Sequence, residues 1–345
     1  MTPLRALRSR VDAPPRVWLT RQSDIVTRPN GGEMTNKAKK PAATRAMRVR
    51  NLTFCTLAGR DGSTLGIRTE RGILDVARAS RLFRIKAPAD IHAVIEGADC
   101  APLMKLVEKA LGDKRGRSVL VPESRARFAP AVPRPGKIIC VGLNYRQHAM
   151  ETGNPIPPVP ILFNKYNNTL VGHRGTIPLP TKVSSQFDYE VELVVVIGRN
   201  ARDVPEEQAL SYVFGYANGN DFSARDLMRA TSQLMLGKTC DGFAPLGPYV
   251  VTADQIADPQ NLKIATYVNG ERRQNSNTSD MIYSCAQIVS YCSRHMTLLP
   301  GDIIYTGTPQ GVILGYPPEK RVWLKAGDKV VTEVEKCGVL EVTLV

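Results

Sequence analysis

Apolar and polar positions alternate in short runs along most of this chain, and helical stripes are few. Residues 49–57 and 63–68 carry the period-two pattern of strands, joined by a turn at residues 59–62. Gly72-Ile-Leu-Asp-Val continues that pattern. Ile91, Val94, Ile95, Leu103, Leu106, Val107 and Leu111 recur at helical spacing, which predicts helices within 88–112. Pro130, Pro133 and Pro135 then mark a linker. Beyond it, residues 137–143 predict a strand running into Asn144-Tyr145, and 146–152 a short helix or ordered loop. Residues 188–197 predict a strong strand. Asp203-Val-Pro-Glu-Glu predicts a helix start with proline in the first turn. Strands are predicted again over 213–218, 246–252 and 303–306. Ser279-Asp-Met-Ile predicts the opening of a helix whose apolar face is Ile282, Cys285, Val289 and Cys292. The C-terminal residues alternate like hairpins, with turns at Ala326-Gly-Asp and Lys336-Cys-Gly.

Strands dominate and no β–α–β alternation is visible, which disfavours a doubly wound parallel sheet. The expected fold class is α+β, mostly β. The expected domains are a disordered basic tail over 1–46, a small N-terminal α+β domain over 47–135, and a larger domain over 136–345.

Composition narrows the function classes. The longest apolar run, Leu193–Ile197, is of strand length, far short of the ~20 residues of a membrane helix. No secretory apolar segment follows Met1. The net charge of +14 suggests nucleic acid until it is mapped. Residues 1–46 hold ten basic and three acidic side chains, half of the whole excess, so the basic character belongs to the tail. That tail is Arg-rich and acid-poor like a transit peptide, without an evident amphipathic helix, and Met34 and Met47 are alternative starts. Aromatics at 6% argue against stacking platforms for bases. The seven cysteines are scattered and form no CxxC, so neither a disulfide framework nor a zinc site is expected. Reduced thiols, a cytoplasmic location, and no membrane or nucleic-acid partner are the expectations.

The chemistry concentrates in a few segments. On the strand Asp188-Tyr-Glu-Val-Glu-Leu-Val-Val-Val-Ile, Glu190 and Glu192 share one face, their Cα atoms roughly 6.6 Å apart. Two carboxylates on a buried strand need compensation. A hard divalent cation supplies it; a strand end that emerges into solvent would need none. Asp221, in Gly219-Asn-Asp-Phe-Ser-Ala-Arg-Asp, can supply a third oxygen ligand. Arg225 and Lys238 follow, able to balance charge or hold a substrate carboxylate; Arg225 with Asp226 can equally be a structural ion pair. Leu236-Gly-Lys-Thr is no phosphate loop, because Ser232 stands where that motif needs glycine. His148 and Glu151 are i, i+3 neighbours, which suits either a surface ion pair or an oriented general base for water. The Gly/Thr-rich turn at 301–311 offers hydroxyls and amides to an anionic oxygen, or is a bare hairpin.

Taken in order, these segments resemble the fumarylacetoacetate hydrolase family. The resemblance covers about residues 137–345. It is carried by G-L-N-Y-R-Q-H-A-M-E, F-D-Y-E-V-E-L-V-V-V-I-G, G-N-D-F-S-A-R-D-L, L-G-K-T-C-D-G-F-A-P-L-G-P and G-D-I-I-Y-T-G-T-P-Q-G-V. It implies a mixed, mostly β roll found as a homodimer or higher oligomer. It implies Glu190, Glu192 and Asp221 as ligands of Mg²⁺ or Mn²⁺, His148 and Glu151 as a water-activating dyad on a lid, and Lys238 as the active-site lysine. Arg225, Tyr145 and Thr308 are the implied substrate contacts. The implied reaction is hydrolysis of a C–C bond in a 2,4-dioxo acid such as an acylpyruvate. The alternative is isomerisation, decarboxylation or hydration of a related 2-oxo diacid in aromatic-compound catabolism. Two departures bear on the substrate. Met228 stands where the family often has glutamine, and Lys165-Tyr-Asn-Asn stands where it often has Lys-Pro-Ser.

Overall fold

The computed structural model describes residues 50–59 and 62–345, so the expected tail over 1–46 lies outside the described residues. Ten strands form one mixed sheet. From edge to edge they are Leu120–Val121, Gly72–Asp75, Gly62–Thr69, Thr53–Gly59, Val250–Thr252, Val213–Asn220, Val191–Ile197, Ile303–Tyr305, Ile138–Gly142 and Ile161–Lys165. A second sheet of five strands runs Glu271–Asn277, Lys263–Val268, Lys329–Val334, Gly338–Leu344 and Gly175–Ile177. Most neighbours are antiparallel; Ile303–Tyr305 beside Ile138–Gly142 is a parallel exception. The mixed, mostly β architecture expected from the sequence is the one observed.

Val191–Ile197 is the central strand, and every residue in it is buried. Its β-branched run suits a strand covered on both faces. Each fully buried Val or Ile contributes about 1.5–3 kcal/mol. Val191, Leu193, Val195 and Ile197 enter a core shared with Ile264 and Val334 of the second sheet and with Cys285, Ile288, Val289 and Cys292 of one helix. Val194 and Val196 face the opposite core, built with Leu65, Ile67, Leu103 and Leu106 from the N-terminal region. Residues on either side of the proline-marked segment therefore share one sheet and one core, and the described residues form one compact unit.

Two helices depart from the sequence expectation. Residues 76–83, read there only as the end of a strand, form a helix capped by Asp75, whose carboxylate accepts the Arg78 N–H at 3.0 Å. The helix expected to open at Ser279 runs instead over Cys285–His295. Ser284 and Gln287 make a reciprocal capping box there, whereas Ser279 lies in a single 3₁₀ turn. Capping geometry, rather than the apolar stripe, sets that start. Among the described residues no helix is long and apolar enough to cross a membrane.

Candidate active site

The central strand and its antiparallel neighbour carry the carboxylates. Asn220 ends the strand Val213–Asn220, and its side-chain oxygen accepts the Glu190 N–H at 2.9 Å. The next residue, Asp221, donates its own N–H to the Glu190 carbonyl at 2.8 Å. These two bonds lock the carboxylate-bearing segments together. Glu190, Glu192 and Asp221 are all buried, and one oxygen from each lies within 4.8 Å of the others. Such an oxygen-only cluster fits a hard divalent cation such as Mg²⁺ or Mn²⁺.

The three carboxylates differ in how they are balanced. Glu190 lies 2.6 Å from Arg225 Nη2, a charge contact without hydrogen-bond geometry, and accepts from Lys238 Nζ at 2.7 Å. Burial pushes its carboxyl up, but Arg225 and Lys238 outweigh burial and hold it below the usual carboxylate range. Asp221 accepts from Lys238 Nζ at 2.7 Å and also from Lys165 Nζ, which donates to the Phe222 carbonyl at 3.0 Å. Glu192 contacts no cation among the described residues; its one hydrogen bond comes from the Gly307 N–H at 2.6 Å. Burial, then the charges of Asp221 and Glu190, push Glu192 well above the usual range. A bound cation would relieve that imbalance, so metal uptake should displace a proton from Glu192. Metal affinity should therefore weaken as pH falls below the raised Glu192 pKa, by about tenfold per pH unit for one exchanged proton. Calorimetric titration with Mn²⁺ at several pH values, in two buffers of different ionisation enthalpy, would read this; affinity independent of pH would contradict it.

Glycine makes two of these placements feasible. Gly307 adopts φ +100°, and a Cβ there would lie 2.6 Å from the Asn144 Cβ, so its N–H can turn toward Glu192. Gly237, in the turn Met235–Lys238, packs so closely on the helix Arg225–Arg229 that a Cβ would meet Met228 Cγ at 2.4 Å. That approach delivers Lys238 to the carboxylates, with Nζ 5.1 Å from the Phe163 ring centroid.

The dyad lies on the short helix Arg146–Glu151. His148 Nδ1 is 2.8 Å from Glu151 Oε1, and Glu151 Oε2 accepts the Gly311 N–H at 2.9 Å. The carboxylate thus orients the imidazole and leaves Nε2 for the cavity, the arrangement of a positioned base. Glu151 also ties this helix to the turn after Ile303–Tyr305. The cavity, about 600 Å³, is lined by His148, Glu151, Glu190, Glu192, Arg225, Lys238 and Thr308, with apolar side chains and further polar and basic ones completing the wall.

Most of the sequence-derived site lines this one cavity, and Asp221 joins it through the carboxylate cluster with Glu190 and Glu192; three details differ. Tyr145 is fully buried in the core with Cys285 and Ile288 and does not line the cavity; its hydroxyl has no hydrogen-bond partner among the described residues. The expected substrate contact is corrected to a packing position: the chain enters the helix at Tyr145 in extended conformation, and the ring goes to the interior. Arg225 does line the cavity, yet its Nε donates to Asp188 Oδ2 at 2.9 Å while Nη2 faces Glu190, so it braces that carboxylate. In the Thr306–Thr308 turn, the Thr306 hydroxyl donates to the Leu193 carbonyl at 2.8 Å and the Gly307 amide serves Glu192. Only Thr308, whose hydroxyl accepts from Gln274 Nε2 at 2.9 Å, reaches the cavity.

Asp188 and Lys165 were not picked out by sequence reasoning. Asp188 holds Arg225 and accepts the N–H groups of Ile313 at 2.9 Å and Leu314 at 3.0 Å. The same period-two spacing that links Glu190 to Glu192 points to it. Lys165 ends the edge strand Ile161–Lys165 and carried no local signal.

Comparison with known proteins supplies the context. The family model described as Fumarylacetoacetate (FAA) hydrolase C-terminal matches residues 137–345. The chain is 46% identical over 222 residues to the mitochondrial oxaloacetate tautomerase Fahd2a of Rattus norvegicus, covering 64% of this chain and 70% of that protein. It is 39% identical over 277 residues to the oxaloacetate tautomerase YisK of Bacillus subtilis, covering 78% and 91%. Among solved structures it is similar to the fumarylpyruvate hydrolase of Pseudomonas aeruginosa in complex with Mn²⁺ and pyruvate, with a TM-score of 0.56 and 35% identity, covering 63% of this chain and 98% of that one.

Proposed function

The chain belongs to the fumarylacetoacetate hydrolase family, and from that premise we propose that it is a divalent-metal-dependent tautomerase of a short 2-oxo diacid of the oxaloacetate class, using Mg²⁺ or Mn²⁺. The observation that carries this reading is a buried, oxygen-only carboxylate trio, two of whose members, Glu190 and Glu192, line the same cavity as a carboxylate-oriented imidazole. When bound, the cation supplies Lewis acidity at the substrate's C2 keto oxygen and so acidifies the neighbouring C3–H. His148 Nε2 takes the C3 proton, holds it, and releases it toward the C2 oxygen, so the conversion consumes no proton overall. Glu151 fixes the tautomer of the ring and stabilises its transient charge. Lys238 and Arg225 keep Glu190 ionised for its ligand role. Leu143, Ile161, Phe163 and Leu314 form an apolar wall that limits water at the reacting carbon. The oxaloacetate tautomerases among the relatives support this choice.

A second reading is C–C hydrolysis of a 2,4-dioxo acid. The His148–Glu151 pair favours it, because the same base can activate water, and so does the fumarylpyruvate hydrolase relative. One preparation decides between them. Enol-to-keto conversion of oxaloacetate and cleavage of an acylpyruvate are followed with Mg²⁺, with Mn²⁺ and after chelation. Metal-dependent acceleration of the first, with a much lower kcat/KM for the second, is expected. The reverse ranking would make the chain a hydrolase.

A further inference from the structure

The deep cations around the carboxylate trio are already committed. Lys238 holds Glu190 and Asp221, Lys165 holds Asp221, and Arg225 holds Asp188 and Glu190. A diacid that approaches the trio with its 2-oxo carboxylate still brings a second, distal carboxylate into a partly apolar cavity. An unpaired anion there is costly. Two further lining cations, Arg229 and Arg321, form no salt bridge among the described residues. Arg321 Nε donates to the Tyr316 carbonyl at 2.8 Å, which orients the side chain and leaves both terminal amino groups without a protein partner among the described residues. Arg229 Nη2 donates only to the neutral side-chain oxygen of Gln186. They come from separate segments: Arg229 ends the helix Arg225–Arg229, and Arg321 follows the 3₁₀ turn Pro318–Lys320. Met228, beside Arg229, also lines the cavity and offers no strong hydrogen-bonding group to an anion.

We propose that Arg321 and Arg229 form the site for the substrate's distal carboxylate and set the preference of this cavity for 2-oxo diacids over 2-oxo monoacids. The inference rests on the metal-centred 2-oxo acid reading above. Guanidinium forks suit bidentate carboxylate recognition, and a hydrogen bond to a charged group contributes about 1.5–3 kcal/mol, a factor of about 10–100 in affinity.

The test is equilibrium binding to the full chain loaded with Mn²⁺, which requires no turnover. Dissociation constants for oxaloacetate and for 2-oxobutanoate are measured by calorimetry on the parent protein, Arg321→Gln, Arg229→Gln and the double variant. The parent should bind the diacid at least about tenfold more tightly. The double variant should lose most of that preference by weakening the diacid alone, with Mn²⁺ affinity unchanged. A parent without diacid preference, or a double variant that keeps it, would overturn the proposal, and so would equal weakening of both acids. Tautomerase failure registers separately: a parent that binds the diacid preferentially but does not accelerate its tautomerisation refutes the function while leaving this site standing.

Discussion

Replacing Glu192 by glutamine should remove metal binding and activity together while leaving the metal-free protein at least as stable as the parent. Glu192 is the member of the trio without a cationic neighbour among the described residues; burial and the charges of Asp221 and Glu190 already disfavour its ionised form. A neutral amide keeps the size, keeps an oxygen for the Gly307 N–H and removes the like-charge contact. Ligation suffers, because one of three anionic oxygens is gone. Even changes in outer-shell partners cost 10–100-fold in affinity, so the loss here should exceed about 100-fold. Asp221→Ala and Glu190→Ala should behave differently, although all three residues are ligands in this reading. Removing Asp221 leaves buried Lys165 without a carboxylate and Lys238 with Glu190 alone, and removing Glu190 takes one of two carboxylate partners from both Lys238 and Arg225. Breaking a buried pair from one side costs about 3–5 kcal/mol, so those variants should lose the fold along with the metal. Metal content and thermal melting of the metal-free proteins separate the cases. A Glu192→Gln protein that retains stoichiometric Mn²⁺, or that melts far below the parent, would remove Glu192 from the ligand set.

The second large effect concerns the base. His148→Ala should lower kcat for tautomerisation by about 10²–10⁴-fold, the usual contribution of a positioned general base. Metal affinity should barely change, since His148 bonds Glu151 rather than sharing the carboxylate cluster. Glu151→Gln should lose less, because an amide oxygen can still accept from His148 Nδ1–H. Glu151→Ala should lose more than that, since the Gly311 N–H also loses its acceptor and the turn beside Thr308 loosens. Kinetics with metal content measured alongside would read this series. Loss of metal in His148→Ala would make the histidine a ligand, and a kcat within a few-fold of the parent would remove it from the proton transfer.

The chain itself, read without coordinates, determined the parts of this site that lie close along the backbone. Strand periodicity put Glu190 and Glu192 on one face, and the apolar run after them implied burial, so the carboxylate pair was legible from spacing alone. The i, i+3 relation did the same for His148 and Glu151. Asp221 was legible as a carboxylate just past a predicted strand. Tertiary structure decided what depends on contacts between distant segments. Lys165 reaches Asp221 across 56 positions, and Arg225 reaches Asp188 across 37. No local pattern encodes such pairings, because a lysine at a strand end looks the same whether it meets solvent or a buried carboxylate. The placements of Tyr145, in the core, and of Arg225, in ion pairs with Asp188 and Glu190 at the cavity wall, depend on such contacts too. The N-terminal region joined the main sheet because Thr53–Gly59 found a partner in Val250–Thr252. Side-chain period is local geometry that a sequence carries in its order; partner choice is a free-energy competition among all segments, and only the folded chain resolves it.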